Sequence, residues 1–199
     1  MKYLKVLGVA AFAAMALMAF GAGSASATTL FTDSAKTSDY PAGTAIDASL
    51  VAGGSATLTS GSGATIATCT GGTVEGLTSN TTGTYVSGSV ETANLTWSGC
   101  SQTTVTTAGG TIHIDHTSGN DGTVTGTGFG VTVAIFGVSC TYGAGEGTHL
   151  GTLKGGETPV LTIATTVKRI AGSTFLCPAT AGWDAEYVVT TPHALYVGA

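Results

Sequence analysis

The chain has 199 residues and a net charge of −5, and only 9% of its residues are charged. Nucleic acid is held mainly by Lys and Arg on phosphate, and anionic lipid attracts the same side chains, so the overall acidity speaks against both as partners. Abundant Gly, Thr and Ser with so little charge would also suit a low-complexity coat, but disorder goes with high charge and few β-branched residues; this chain shows the reverse and reads as a folded, Thr-rich β-protein.

Residues 1–27 have the layout of a signal peptide. Lys2 and Lys5 form a positive start, Val6 to Phe20 is apolar, and Ala25-Ser26-Ala27 is a small-x-small cleavage site. The apolar run is shorter than the roughly 20 residues of a bilayer span, so the sequence predicts cleavage after Ala27 and no membrane span thereafter. Lys2 and Lys5 leave with the leader, which takes the net charge from −5 to −7.

Thr28 to Thr44 is a polar N-terminal arm ending in the turn signal Tyr40-Pro41-Ala42-Gly43; it is a mobile arm or an edge strand. Residues 45–199 form one domain of short strands between glycines: Ile46 to Ala52, Ser55 to Ser60, Ala64 to Thr70, Tyr85 to Val90, Thr92 to Trp97 and Thr103 to Thr107. Thr111 to His116 and Thr123 to Thr127 flank Ser118-Gly119-Asn120-Asp121-Gly122, the best hairpin signal in the chain, because Asn, Asp and Gly accept positive φ.

Phe129 to Cys140 is the longest apolar, β-branched run after the leader. Both of its faces are apolar, so it is expected to be one central strand covered on both sides, with Gly137 as a bulge or bend. Beyond it, His149 to Lys154, Val160 to Val167, Glu186 to Thr191 and Ala194 to Val197 complete the strand signals, and Val160 to Val167 alternates with period two. Many short strands with Gly turns and no helical period predict an all-β fold, a single β-sandwich of immunoglobulin-like or jelly-roll-like type.

Cys69, Cys100, Cys140 and Cys177 are an even set in an exported chain, which predicts two disulfides. Three pairings are possible. The local one, Cys69–Cys100 with Cys140–Cys177, is preferred because each bond then closes a short segment. Zinc is disfavoured by the lack of any Cys-x-x-Cys or Cys beside His, so no metal or other cofactor is expected.

Cys69-x-x-Gly72-Thr73-Val74, Leu95-Thr96-Trp97-Ser98-Gly99-Cys100, Gly137-Val138-Ser139-Cys140-Thr141-Tyr142 and Tyr187-Val188-Val189-Thr190-Thr191-Pro192 resemble uncharacterised exported four-cysteine, Thr/Gly-rich β-proteins of actinobacteria. The resemblance covers most of the chain after the leader. It implies export and a disulfide-stabilised β-domain, and it brings no established activity or catalytic residue.

The most enzyme-like cluster is His113, Asp115 and His116. On a strand His113 and Asp115 share a face and could pair, whereas His116 points the other way. No Gly-x-Ser-x-Gly nucleophile elbow accompanies them. Asp184 with Glu186, or Glu75 with Glu91, could act as paired carboxylates in glycoside hydrolysis. Trp97, Trp183, Tyr142 and Tyr187 are the aromatic anchors, and an exposed Trp183 or Tyr142 would offer a sugar-stacking platform.

These signals predict a secreted or cell-surface, non-catalytic β-domain with a structural or surface-interaction role. Its partner would be a cell-surface glycan or protein, and its oligomeric state is not encoded in any of these signals. Two alternatives come from other classes: a secreted hydrolase using His113 and Asp115, and a carbohydrate-binding module using Trp183 or Tyr142.

Overall fold

The computed structural model describes residues 28–79, 88–101, 105–135, 137–171 and 173–199, with the side chains at 88–92 and 135 excepted. The leader at 1–27 lies outside the described residues. In chain order the strands are β1 (Thr29–Phe31), β2 (Ala45–Leu50), β3 (Ala56–Ser60), β4 (Thr65–Thr78), β5 (Gly88–Cys100), β6 (Val105–Ala108) and β7 (Gly110–Ser118). They continue with β8 (Asp121–Thr127), β9 (Gly130–Ile135), β10 (Val138–Gly143), β11 (Thr148–Lys154), β12 (Val160–Arg169), β13 (Thr180–Thr191) and β14 (Tyr196–Gly198). The all-β expectation holds among the described residues.

The sandwich does not. Starting from β2, hydrogen bonds run to β4, β5, β7, β8, β11, β12 and β13, and β13 returns to β2, every pair antiparallel. The result is a closed eight-stranded barrel. Alternation of inward and outward residues is the same in a sandwich and a barrel; what separates them is the offset between strands, which lets a sheet close on itself. Here β2 and β3 supply that closure as one interrupted strand. Along β13, Leu50 pairs with Tyr187 and Thr57 with Asp184, and both β2 and β3 also pair with β4.

Above this barrel the long strands β4, β5, β12 and β13 continue into a second tier. There the wall is completed by β3 on one side and by β10, β9 and β6 on the other. The Thr107 hydroxyl donates to the Leu95 carbonyl where β6 meets β5.

The run Phe129 to Cys140 is thus not one central strand. It is the hairpin β9–β10, with Ile135 opposite Val138 and Gly137 at φ +78°; Phe136 lies outside the described residues. A glycine that accepts positive φ lets the chain reverse in two residues, and the two apolar halves then face the same second-tier core through Val131, Val133, Cys140 and Tyr142. We expect Gly137→Val to cost about 1–2 kcal/mol, seen as a lower urea midpoint, because a β-branched residue is strained at that φ.

The interior is apolar. Ile46, Ile112, Ile114, Val124, Leu153 and Leu161 are among the residues around a barrel hollow of only about 30 Å³, as expected for eight strands, whose side chains fill the lumen. Outward positions carry Thr, Asp, Glu and Lys, as at Asp184, Glu186 and Thr190 on β13. That polarity is the inverse of a membrane-spanning barrel, which is apolar outside, and no helix of the described residues is long and apolar enough to cross a membrane.

The N-terminal arm is packed. β1 pairs with β14, and Leu30 and Val197 are fully buried. The Thr28 hydroxyl accepts from the His116 amide, the Val197 amide donates to the Asn120 carbonyl, and the Tyr40 hydroxyl donates to the Ala194 carbonyl. These bonds fasten the β1–β14 ribbon over the barrel end that holds the β7–β8 turn.

Two disulfides are present, Cys69–Cys100 and Cys140–Cys177. Cys69 and Cys100 sit opposite each other on β4 and β5. Cys140–Cys177 instead ties β10 to the connection between β12 and β13. Disulfides of this kind are compatible with an extracellular location.

Candidate functional site

His113 and Asp115 lie side by side on the outer wall of the barrel, since their neighbours Ile112 and Ile114 point into the lumen. Across the β7–β8 ladder they oppose Thr125 and Thr123. A closed barrel is convex there, and neither residue lines any of the hollows described here. His116 folds back instead, its Nε2 within 3.1 Å of the Gly119 carbonyl in the turn.

Trp183 and Tyr142 do not form an exposed platform. Trp183 keeps 5% of its surface and Tyr142 none, because both stand at inward positions of β13 and β10. Trp97 meets Trp183 edge-on, with ring centroids 5.9 Å apart, and donates its indole N–H to the Tyr187 hydroxyl at 3.1 Å. Tyr142 and Trp183 line a second-tier hollow of about 10 Å³ with Phe129, Val131 and Val167, room for one water at most. Burial pushes the Tyr142 hydroxyl up, and the positive charge of Arg169 pulls it part of the way back. These aromatics are core.

Asp184 and Glu186 both point outward, beside a shallow open groove of about 400 Å³ where β2 breaks off before β3. Val51, Ser55, Thr57 and Thr162 complete its floor. Glu75 is also exposed; the Glu91 side chain lies outside the described residues. The groove is open to solvent along its length and holds no aromatic or cationic side chain.

The feature that departs most from ordinary surface chemistry is the turn Thr174–Cys177, where the Cys177 amide donates to the Thr174 carbonyl at 3.1 Å. Its two central residues are Phe175, 86% exposed, and Leu176, 66% exposed. Central turn positions normally take Gly, Pro, Asn, Asp or Ser, and large apolar side chains normally go inside. Ile170, 44% exposed, lies at the start of the same connection.

The turn is firmly mounted. The Arg169 guanidinium donates to the Thr174 carbonyl at 3.1 Å and to the Cys177 carbonyl at 2.7 Å, clamping both ends. The Leu176 amide donates to the Thr174 hydroxyl, and the Thr141 amide donates to the Ser173 hydroxyl. Ile170 donates its amide to the Thr141 carbonyl, and Cys177 is bonded to Cys140. β10 therefore holds the connection at three points. A phenyl ring and a branched aliphatic side chain are thus presented to solvent by a clamp of polar and covalent bonds.

No family model, no curated protein and no solved structure matches this chain.

Proposed function

We propose that this protein is an exported, non-catalytic β-barrel that works by contact, with the Phe175–Leu176 turn as its contact surface. The observation that carries the reading is the pair of large apolar side chains held in solvent by Arg169 and the Cys140–Cys177 bond. A loose loop could fold such residues back onto the protein; this mounting prevents it.

The hydrolase alternative loses support because His113 and Asp115 stand on a convex wall. The carbohydrate-binding alternative loses it because the Trp183 and Tyr142 rings are buried.

The test begins with stability. Phe175→Ser with Leu176→Ser should change the unfolding free energy by less than about 0.5 kcal/mol, as for other exposed positions, when measured by urea titration. The same double variant should be released into the medium from cells that retain the parent protein at their surface. Equal retention of both would overturn the reading, as would finding the protein in the cytosol with its leader intact.

A further inference from the structure

The whole-chain charge hides a segregation that the fold makes plain. The segments 48–74, 92–114, 122–145 and 158–183 contain no Asp or Glu. They supply β3, β6, β9 and β10 and the second-tier parts of β4, β5, β12 and β13, along with Gly110–Ile114 of β7, most of β8 and the barrel half of β12. The only charged side chains in these segments are Lys168 and Arg169, the two residues that lead directly into Ile170 and the apolar turn. Most acids sit on the barrel tier and the N-terminal arm, together with Lys36 and Lys154, while Asp184 faces Thr57 of β3 at the junction of the tiers and Glu146 follows the end of β10.

We propose that the surface this turn contacts is an anionic lipid bilayer. This rests on the contact reading above and adds the identity of the partner. Phe175 and Leu176 project from a convex turn, and a bilayer accepts a projecting knob without a pre-shaped cavity. Arg169 brings its positive charge to both ends of the turn, and Lys168, exposed, precedes it on β12. Basic side chains next to an apolar anchor favour anionic headgroups within a Debye length. Along β13 the first acid, Asp184, stands four residues from Thr180, the partner of Lys168, or about 13 Å, and Glu146 lies three residues beyond Gly143; the other acids are farther along the barrel tier or in the arm. Two apolar residues and two cations give reversible binding that responds to salt, with no spanning of the membrane.

The test uses the protein purified after export and extruded vesicles. One set holds equal parts phosphatidylglycerol and phosphatidylcholine; the other is pure phosphatidylcholine. The expected result is co-sedimentation with the phosphatidylglycerol vesicles that falls as salt is raised, and that drops by at least about tenfold with Phe175→Ser and Leu176→Ser. Lys168→Glu should weaken binding several-fold on the anionic vesicles and leave the phosphatidylcholine baseline unchanged. Phe175→Trp should keep binding and show a blue-shifted emission on the anionic vesicles alone.

No binding to either vesicle by the parent protein, or equal binding by the double Ser variant, would overturn the lipid assignment. If cell-surface retention still depends on Phe175 and Leu176 in that case, the turn grips a protein and only this inference falls. If retention is also unchanged, the contact reading falls with it.

Discussion

Tyr187→Ala should cost about 3–5 kcal/mol, the range for truncating a large aromatic in a packed core. Tyr187 is fully buried on β13, receives the Trp97 indole N–H, and stands where the barrel passes into the second tier, with the Trp97–Trp183 pair beside it. Tyr187→Phe should cost less, about 1–2 kcal/mol, because it removes only the acceptor for Trp97. Urea unfolding followed by tryptophan emission checks both, since each variant sits against the reporting rings.

The same residue makes stability depend on alkaline pH. Burial pushes the Tyr187 hydroxyl from 10.0 up to about 12, against a smaller pull from the Trp97 hydrogen bond. The folded state keeps this proton after the unfolded chain has lost it. The resulting stabilisation is intact below pH 10 and is lost as pH rises from 10 to 12, at about 1.4 kcal/mol per unit. Tyr40 and Tyr142 are shifted in the same direction, Tyr40 mainly by burial with the Tyr196 charge adding to it. Tyr187→Phe should therefore flatten the decline without abolishing it. Urea midpoints measured between pH 9 and 12 would show this, and a decline as steep in the variant as in the parent would contradict the assignment.

Loss of the second disulfide has the next largest expected effect. Cys140→Ser with Cys177→Ser opens a loop of 37 residues, and the loop-entropy account puts the loss at about 4 kcal/mol within a range of 2–5. The first pair closes 31 residues, so Cys69→Ser with Cys100→Ser should lower stability by nearly as much. The two losses differ in kind. Cys69 and Cys100 join strands that the β4–β5 ladder already pairs, whereas Cys177 lies outside any ladder and holds one end of the Phe175–Leu176 turn. Hydrogen exchange at Leu176 and Cys177 should accelerate strongly in the second variant pair and little in the first, under conditions where both remain folded.

Much of the strand pattern was legible. Alternation along Val160 to Val167 and the Gly119–Asn120 hairpin both translate directly into β12 and the β7–β8 turn, because period-two burial and positive φ are local properties. Closure was not legible. It depends on β2 and β3 occupying one slot between β13 and β4, a long-range register that no local pattern encodes. Phe129 to Cys140 was misread for a related reason: an apolar run folded back at Gly137 and a doubly covered single strand have the same composition. The start of β13 was missed although its alternation is intact, because its inward positions include the small Ala181 and Ala185 and its outward ones Gly182 and Asp184, residue types depleted in strands.

The Phe175–Leu176 turn left an apolar signal in the sequence. Phe175 and Leu176 stand between Thr174 and Cys177-Pro178, where β12 has ended and β13 has not begun. Two large apolar residues in such a break are unusual in a chain with so few aromatics. Their exposure, however, follows from the Arg169 clamp and the bond to Cys140, and neither partner can be inferred from spacing.

The pairing of β1 with β14 brings Thr29 opposite Gly198 at one pole of the molecule, while Phe175 marks the other. β13, 12 residues long at roughly 3.3 Å each, has a length of about 40 Å and runs from the side of the Phe175 connection towards that ribbon. A fluorophore placed at Thr29 or Gly198 would thus leave the Phe175–Leu176 turn clear. Tethered through the β1–β14 ribbon, the molecule would stand with Phe175 foremost.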